Sequence, residues 1–469
     1  MITADPSHLP PLDPEFVPAA LWVREFRALV AADSGARAVT LALSRPDGTC
    51  FHHATRVLAA DHPQAERNLR HCERLLKFLL WQQGGSRVAL AGAPEIAAAL
   101  SALYSPRGER AFDATFIGEK VYGEPFTVRN AAFADLPPPR AQSQAVGRQF
   151  GGCRIGFDLG GSDRKAAALI DGRVVYSEEI RWDPYFQPHP EYHVAGIQDS
   201  LARAAAHLPR VDAIGGSAAG IYVNNEVRVA SLFRAVPDEP FRTRIRPLFH
   251  ALRERWGGIP FEVYNDGEVT ALAGSLALGT HSILGISLGT SVAGGFVQAD
   301  GTLTPWLNEL AFVPVDYRAN APRDEWSGDA GCGVQYFSQQ AVDRLARAAG
   351  FSFPAEMAVP ERLVEVQQSA ARGDPRALAI FDSIGVYLGH TLAWFAEHYD
   401  VRHVLLLGRV TSGDPGPRLR ERAQRVLADM YPEVAARLAL HLPDEKDRRH
   451  GQAVAAASLP VLPAQPFSP

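Results

Sequence analysis

Residues 155–172 read IGFDLGGSDRKAAALIDG, and residues 284–301 read LGISLGTSVAGGFVQADG. The two stretches align without a gap, and Gly156/Gly285, Leu159/Leu288, Gly160/Gly289, Ser162/Ser291, Asp171/Asp300 and Gly172/Gly301 are identical. Each copy reads as an apolar strand, a small-residue turn, a second strand and an Asp-Gly turn into a third strand. A single glycine-rich turn is weak evidence, but a gapless duplication with coincident turns is much stronger. It predicts two similar halves whose glycine-rich hairpins face one another across a cleft.

Outward from the repeat, strands and helices alternate, the pattern of a sheet covered by helices. The first half is predicted to hold strands at 212–215 and 261–264 and helices at 241–255 and 268–278. The second half holds helices at 334–348 and 377–398, a strand at 403–407, and helices at 418–428 and 453–459. Before the repeat, LPPPRAQSQAVGRQFGG (136–152) is a Pro-stiffened, then polar stretch without periodicity, and it reads as a linker. Ahead of it, strands at 38–44 and 50–57 flank the Asp47-Gly48 turn. A helix at 63–83, a strand at 87–91 and a helix at 94–104 follow. The boundaries expected are an N-terminal α/β domain at 1–140, a linker at 141–152, and halves at 153–280 and 281–469. Residues 150–469 alone are then expected to be a soluble core that still binds nucleotide. The first domain would shape a substrate entrance or make a subunit contact, as in a homodimer.

Composition narrows the function. The 469 residues exceed one compact core, and 46% hydrophobic with 21% charged is ordinary globular material. Lys+Arg 47 against Asp+Glu 52 leaves a net charge of -5, which argues against a nucleic-acid binder. No run of about 18 apolar residues predicts a membrane span. The start, MITADPSHLPPLDPEF, lacks the basic and apolar regions of a secretory signal. Four cysteines, Cys50, Cys72, Cys153 and Cys332, lie far apart and form no CxxC pair. A cytoplasmic protein is expected, with a small-molecule substrate and neither nucleic acid nor membrane as partner.

Chemistry concentrates at four places. In DLGGS, Gly160 and Gly161 let backbone N–H groups approach an anion, and the Ser162 hydroxyl adds a donor. Lys165 joins them as a phosphate-binding residue. Asp158 would repel phosphate unless a divalent cation intervenes, so it reads as a Mg²⁺ ligand acting through water. In LGTSVAGG, Gly289, Thr290, Ser291, Gly294 and Gly295 repeat these features; a plain turn and a glycine bulge are the ordinary alternatives. In YNDGE, Asn265 and Asp266 follow a strand and open a helix, a capping pattern. Its functional reading makes Asp266 the base that accepts a hydroxyl proton in phosphoryl transfer. VLLLGRVTSG (404–413) is a buried strand emptying into a polar loop where a nucleotide could sit, with Gly408 and Arg409 at its start.

In this order the residues resemble the sugar-kinase, Hsp70 and actin superfamily, and within it the ROK family of bacterial sugar kinases and repressors, over about residues 153–460. The resemblance implies an actin-like ATPase fold with two ribonuclease-H-like halves, and ATP with Mg²⁺ as cofactors. Asp158 to Ser162 matches the first phosphate motif, and Gly289-Thr290 with Gly294-Gly295 matches the second. Asn265-Asp266 matches the pair whose Asp is the catalytic base, and Leu407-Gly408 begins the adenosine motif. Asn265, Glu268 and Glu309 are implied substrate contacts, and Ser217 and Gly220 could add to them. Other family elements are damaged. Asn308-Glu309-Leu310-Ala311-Phe312 keeps the Glu of a Glu-x-Gly-His element but puts Phe312 where a zinc-binding His stands. The family's Cys-x-Cys-Gly-x-x-Gly-Cys aligns with Glu325 to Cys332, where Glu325 and Ser327 replace two thiolates. One thiolate cannot build a tetrahedral site, so no structural zinc is expected. Val334 replaces a sugar-contacting Glu, and Arg409 replaces a glycine near adenine.

The expected activity is an ATP-dependent kinase acting on a hydroxyl of a sugar or sugar-like molecule. Its alternative is a non-catalytic sugar- or nucleotide-binding regulator without a DNA-binding domain. An activator ATPase with a cysteine-ligated cluster fits poorly, because Cys153 and Cys332 are poor ligand candidates.

Overall fold

The computed structural model describes residues 8–141, 147–443 and 451–463. The chain forms two compact units. The smaller comprises Ser143–Gly285, Gly294–Thr304 and Pro443–Pro469, and the larger comprises Met1–Gln142, Ile286–Ala293 and Pro305–Leu442.

The smaller unit is built on the first copy of the repeat. Cys153–Leu159, Asp163–Ile170 and Arg173–Arg181 form an antiparallel meander, and Ala213–Ala218 and Phe261–Asn265 extend it in parallel on the other side. Cys153–Leu159 is buried along its whole length, as expected of a strand covered on both faces. The Asp171-Gly172 turn has φ of 47° and 80°, the left-handed pair that a two-residue hairpin of matching twist requires. In the second copy Ile283–Leu288 and Val292–Val297 are strands, but the third is reduced to an isolated bridge between Val297 and Leu303.

One face of this sheet carries Ile155, Phe157 and Leu159 against Ile197 and Leu201 of the Pro190–Ala205 helix, which lies outside the sequence reading. The other face is covered by Gly451–Ala457, whose Ala453 and Ala457 pack on Ala167 and Leu169. This helix comes so close that a Cβ on Gly156 would stand 1.7 Å from the Ala453 carbonyl oxygen. The repeat partner Gly285 faces Ala271, in the helix Asp266–Leu278, where a Cβ would stand 3.0 Å away. The identical glycine pair is thus explained by close helix–sheet packing in both copies.

The larger unit holds a four-stranded sheet in the order Cys50–Val57, Arg37–Ser44, Arg87–Ala91, Thr127–Ala131, with the Asp47-Gly48 hairpin in place. A second sheet runs in the order Val292–Val297, Ile283–Leu288, His403–Leu407, Ala439–His441, and the turn within Ile286–Ala293 belongs to this unit. The helix Pro375–Phe395 is long and apolar enough to cross a bilayer by composition, yet 83% of its apolar window is buried within the protein. It packs against Pro415–Met430, Gln339–Ala348, Val359–Ala371 and Ala19–Ala32.

That last contact corrects the expected domain boundary at 140. Phe16 meets Tyr387 edge-on at 4.7 Å between ring centroids, and Phe78 meets Trp394 at 5.6 Å. Asp13 takes hydrogen bonds from Arg318, Arg344 and Tyr387. The first 140 residues therefore share a core with residues 305–442. The physical reason is the Ala19–Ala32 helix, absent from the sequence reading, whose buried Leu21, Trp22, Val23, Phe26 and Val30 need an apolar partner. The proposed linker, 141–152, lies partly outside the described residues.

Expressing residues 150–469 alone should consequently yield aggregated protein, measurable as loss from the soluble fraction. A soluble, cooperatively melting fragment would show that the N-terminal segment is a separate domain. Gly156→Ala should destabilise the full chain by about 1–3 kcal/mol, the usual penalty of overpacking a close contact, read as a lower denaturation midpoint.

Candidate active site

Asp158 is the penultimate residue of a buried strand, and register places it between Lys165 on one neighbouring strand and Ser217 on the other. The Ser217 hydroxyl donates to Asp158 Oδ1 at 2.7 Å, and Lys165 Nζ stands 3.8 Å from Oδ2. Burial pushes the Asp158 carboxyl up, while Ser217 and Lys165 pull it back.

The turn that follows, Gly160 to Ser162, is held from one side by Trp182, whose indole N–H donates to the Gly160 carbonyl at 2.8 Å. A Cβ at Gly161 would stand 2.1 Å from the Tyr185 hydroxyl, so a side chain there would have to displace that ring. Ser162 is exposed, but its hydroxyl donates to Asp163 at 2.8 Å. Lys165 also pairs with Asp163, at 2.9 Å. Asp163 was not among the predicted site residues, though it engages two of the expected phosphate donors. Its signal in the sequence is a carboxylate directly after the Gly-Gly-Ser turn, where an anion would otherwise sit.

Asn265 and Asp266 open the helix Asp266–Leu278. The Asn265 side chain accepts from the Gly267 N–H at 2.7 Å as the N-cap and donates to the Gly220 carbonyl at 2.6 Å. Asn265 thus caps the helix and anchors the turn from which Asp266 projects. Gln452 donates to the Asp266 carbonyl at 3.4 Å. Burial, helped by the Asp158 charge, pushes the Asp266 carboxyl up to about 6, against the opposing Gly267 N–H. Tyr222, also absent from the predicted set, feels the Asp266 charge and is itself pushed up, chiefly by burial. Glu268 is buried within the first turn of the helix.

Gly295 faces protein: a Cβ there would lie 2.3 Å from the Gly267 carbonyl oxygen. Its close approach is to the start of the Asp266 helix, where the sequence reading expected an anion, and Gly294 lies against the same Gly267. The remaining predicted residues belong to the larger unit. Gly289 caps nothing itself, but its carbonyl accepts from the Gln339 N–H at 2.9 Å, at the start of the Gln339–Ala348 helix. Thr290 and Ser291 beside it are exposed. Gly408 has a φ of 95° and lies against Leu288, where a Cβ would stand 2.3 Å from the carbonyl oxygen. This brings the 408–412 loop to the strand that leads into Gly289. Arg409 is exposed, and its carbonyl accepts from Gln367 at 2.7 Å. Glu309 is half-buried, with its N–H on the Trp81 carbonyl at 3.0 Å.

Within the smaller unit the residues offer a carboxylate of raised pKa at a helix N-terminus, a second carboxylate held by Ser217 and Lys165, and the Gly160–Ser162 turn with its exposed hydroxyl. Among the described residues no three His, Cys, Asp or Glu side chains converge to hold a metal. A divalent cation here would lean on one protein carboxylate and on its substrate's phosphates, which is the habit of Mg²⁺.

The ROK family model matches residues 154–457. A ROK hexokinase from Thermus thermophilus aligns at 21% identity, covering 65% of this chain and 96% of its own, with a TM-score of 0.52. A ROK family transcriptional regulator, a homologue of the E. coli MLC protein, aligns at 19% identity over 66% of this chain and 78% of its own, TM-score 0.53. A ROK family glucokinase from Streptomyces griseus, solved with glucose and AMPPNP, aligns at 23% identity over 65% and 98%, TM-score 0.49. No curated protein matches the sequence. The core has the mixed α/β, actin-like ATPase fold of the sugar kinase, Hsp70 and actin superfamily.

The raised pKa of Asp266 has a measurable consequence for stability. Ionised Asp266 is disfavoured in the folded chain, so the destabilisation is absent below the unfolded value of 3.8, grows as pH rises from there and is complete above about pH 6. Asp266→Asn should then raise Tm at pH 8 and leave it nearly unchanged at pH 4. Equal shifts at both pH values, by calorimetry, would contradict the assigned environment.

Proposed function

The chain belongs to the ROK family, and on that premise we propose that it is an ATP-dependent kinase acting on a hydroxyl of a sugar or sugar-like small molecule. The observation that carries the reading is Asp266, a carboxylate at a helix N-terminus, raised to about 6 and influenced by a second carboxylate, Asp158. A general base works best when its pKa lies near the working pH, and desolvation has moved this carboxyl in that direction. In the proposal Asp266 accepts the acceptor hydroxyl's proton as the oxygen attacks the γ-phosphorus, while the bond from the γ-phosphorus to the β-phosphate oxygen breaks and ADP leaves with that electron pair. Asn265 holds the turn, so the base keeps one orientation through the reaction. Glu309 and Glu268 bind acceptor hydroxyls, and Gly408-Arg409 borders the nucleoside. The backbone of Gly160–Ser162 and of Gly289–Ser291 receives phosphate oxygens. Bound Mg²⁺ would neutralise phosphate charge and lie near Asp158, through water. Lys165 and Ser162 would exchange Asp163 for phosphate oxygens as nucleotide binds. Phosphoryl transfer asks little else of a protein beyond position and charge.

A regulator reading has one observation in its favour. Ser162 and Lys165 already satisfy Asp163, so the first phosphate turn is occupied by the protein's own carboxylate. Such a chain would bind a sugar without turning over ATP.

ATP consumption with Mg²⁺ should be measured against a panel of sugars, amino sugars and polyols. Turnover with at least one acceptor is expected, rising with pH through about 6. Asp266→Asn should lower kcat by about 10²–10⁴-fold with the KM for ATP nearly unchanged. In Asp158→Asn the acid limb of the residual activity should move to lower pH, since a neighbouring negative charge is gone. Sugar binding without turnover by any acceptor would favour the regulator, and near wild-type turnover by Asp266→Asn would overturn the base assignment.

A further inference from the structure

The family resemblance implies zinc ligands on two segments, 308–312 and 325–332, and the residues present there do not fit the metal. Cys332 is the single thiol of the set, and a tetrahedral zinc site needs about four N or S ligands. Phe312, at the His position, offers no donor. Yet both segments are held, and one element holds both.

That element is the helix Glu66–Gln82 of the N-terminal segment, in the same compact unit. Trp81 stacks on Phe312 with 4.2 Å between ring centroids, and Phe112 and Phe116 close around the pair. The Trp81 and Gln82 carbonyls accept the Glu309 and Asn308 N–H groups, each at 3.0 Å. One turn earlier on the helix, Lys77 is fully buried. Its ammonium lies 2.8 Å from Asp113 and 3.0 Å from Asp329, the residue three before Cys332. Arg74 reaches Asp329 at 3.1 Å and donates to the Ala330 carbonyl at 3.2 Å. Arg110 reaches Asp329 at 2.6 Å and Glu73 at 2.6 Å. The Trp81 indole N–H donates to Asp113 at 2.8 Å, which links the aromatic stack to the charges. Lys77, Arg74 and Arg110 thus face Glu73, Asp113 and Asp329, three cations against three carboxylates. Burial works against the Asp329 charge, but the three cations together hold its carboxyl well below the ordinary range.

We propose that the Glu66–Gln82 helix, with Arg110 and Asp113, replaces zinc as the cross-link between residues 308–312 and the 324–332 loop. The resemblance implies that zinc would join these segments through ligands from both. Here the same two segments are joined through Trp81 on Phe312 and through the buried cations on Asp329. Glu309, the residue assigned to the acceptor, lies in the first of these segments and takes its position from the Trp81 carbonyl. The inference concerns how the segments are held and does not depend on whether the chain phosphorylates anything.

Hydrogen exchange on the full-length chain tests it. Lys77→Met should lower amide protection across 308–316 and 324–334 by at least about tenfold, leaving strands 153–159 and 213–218 as protected as in the wild type. Arg110→Gln, at the partly exposed edge of the cluster, should do the same more weakly and keeps the test open if Lys77→Met does not fold. Unchanged protection of 308–334 in both variants, or loss spread evenly over the chain, would overturn the cross-link. So would stoichiometric zinc retained by the wild-type protein after dialysis against a chelator.

Discussion

Taking a carboxylate out of water is disfavoured by several kcal/mol unless cations or donors replace the lost hydration. The two units answer this constraint in opposite ways. Around Asp329 the compensation is complete, with Lys77, Arg74 and Arg110 arrayed against three carboxylates. Around Asp266 it is incomplete. A backbone N–H helps, but Asp158 adds a like charge, and the carboxyl is left well above its ordinary value. A balanced cluster stiffens a fold, because removing any member leaves an unpaired buried charge. An under-compensated carboxylate weakens the fold and is ready to take a proton.

A second constraint is space. Gly156 and Gly215 let the C-terminal helix lie against the central strands, with Cβ positions 1.7 Å from its carbonyl oxygens. Gly295 and Gly408 likewise admit protein backbone. Glycines at the ends of strands look alike whether the closely approaching group is a ligand or a neighbouring segment. Asp163 adds to the same point, since it satisfies the Ser162 and Lys165 donors that an anion would otherwise meet.

The N-terminal segment changes how the rest of the chain is understood. Its helices cover Pro375–Phe395 and seat Phe312, so it works as part of a core. The changes at Phe312, Glu325 and Ser327 look like damage when the 300–335 region is considered alone. Phe312 stacks on Trp81, and Asp329, in the same loop as Glu325 and Ser327, pairs with Lys77. That connection could not be drawn along the chain, because Lys77 and Asp329 are 252 positions apart in the sequence.

What the sequence by itself determined is local and periodic: the duplicated strand–turn–strand, the Asp171-Gly172 and Asp47-Gly48 hairpins, and the strand–cap–helix that presents Asp266. Alternation of apolar residues and turn chemistry act over a few residues, so these elements are legible in one dimension. The family resemblance rests on the same short motifs. Tertiary structure alone decided which glycines pack and which stay open, that Asp163 engages Ser162 and Lys165, and that the first 140 residues share a core with 305–442. It also decided the environment of Asp266, whose shift arises from burial and from Asp158, brought near by parallel strand pairing. Long-range contacts of this kind depend on where strands and helices meet in space, and no local pattern of residues encodes that distance.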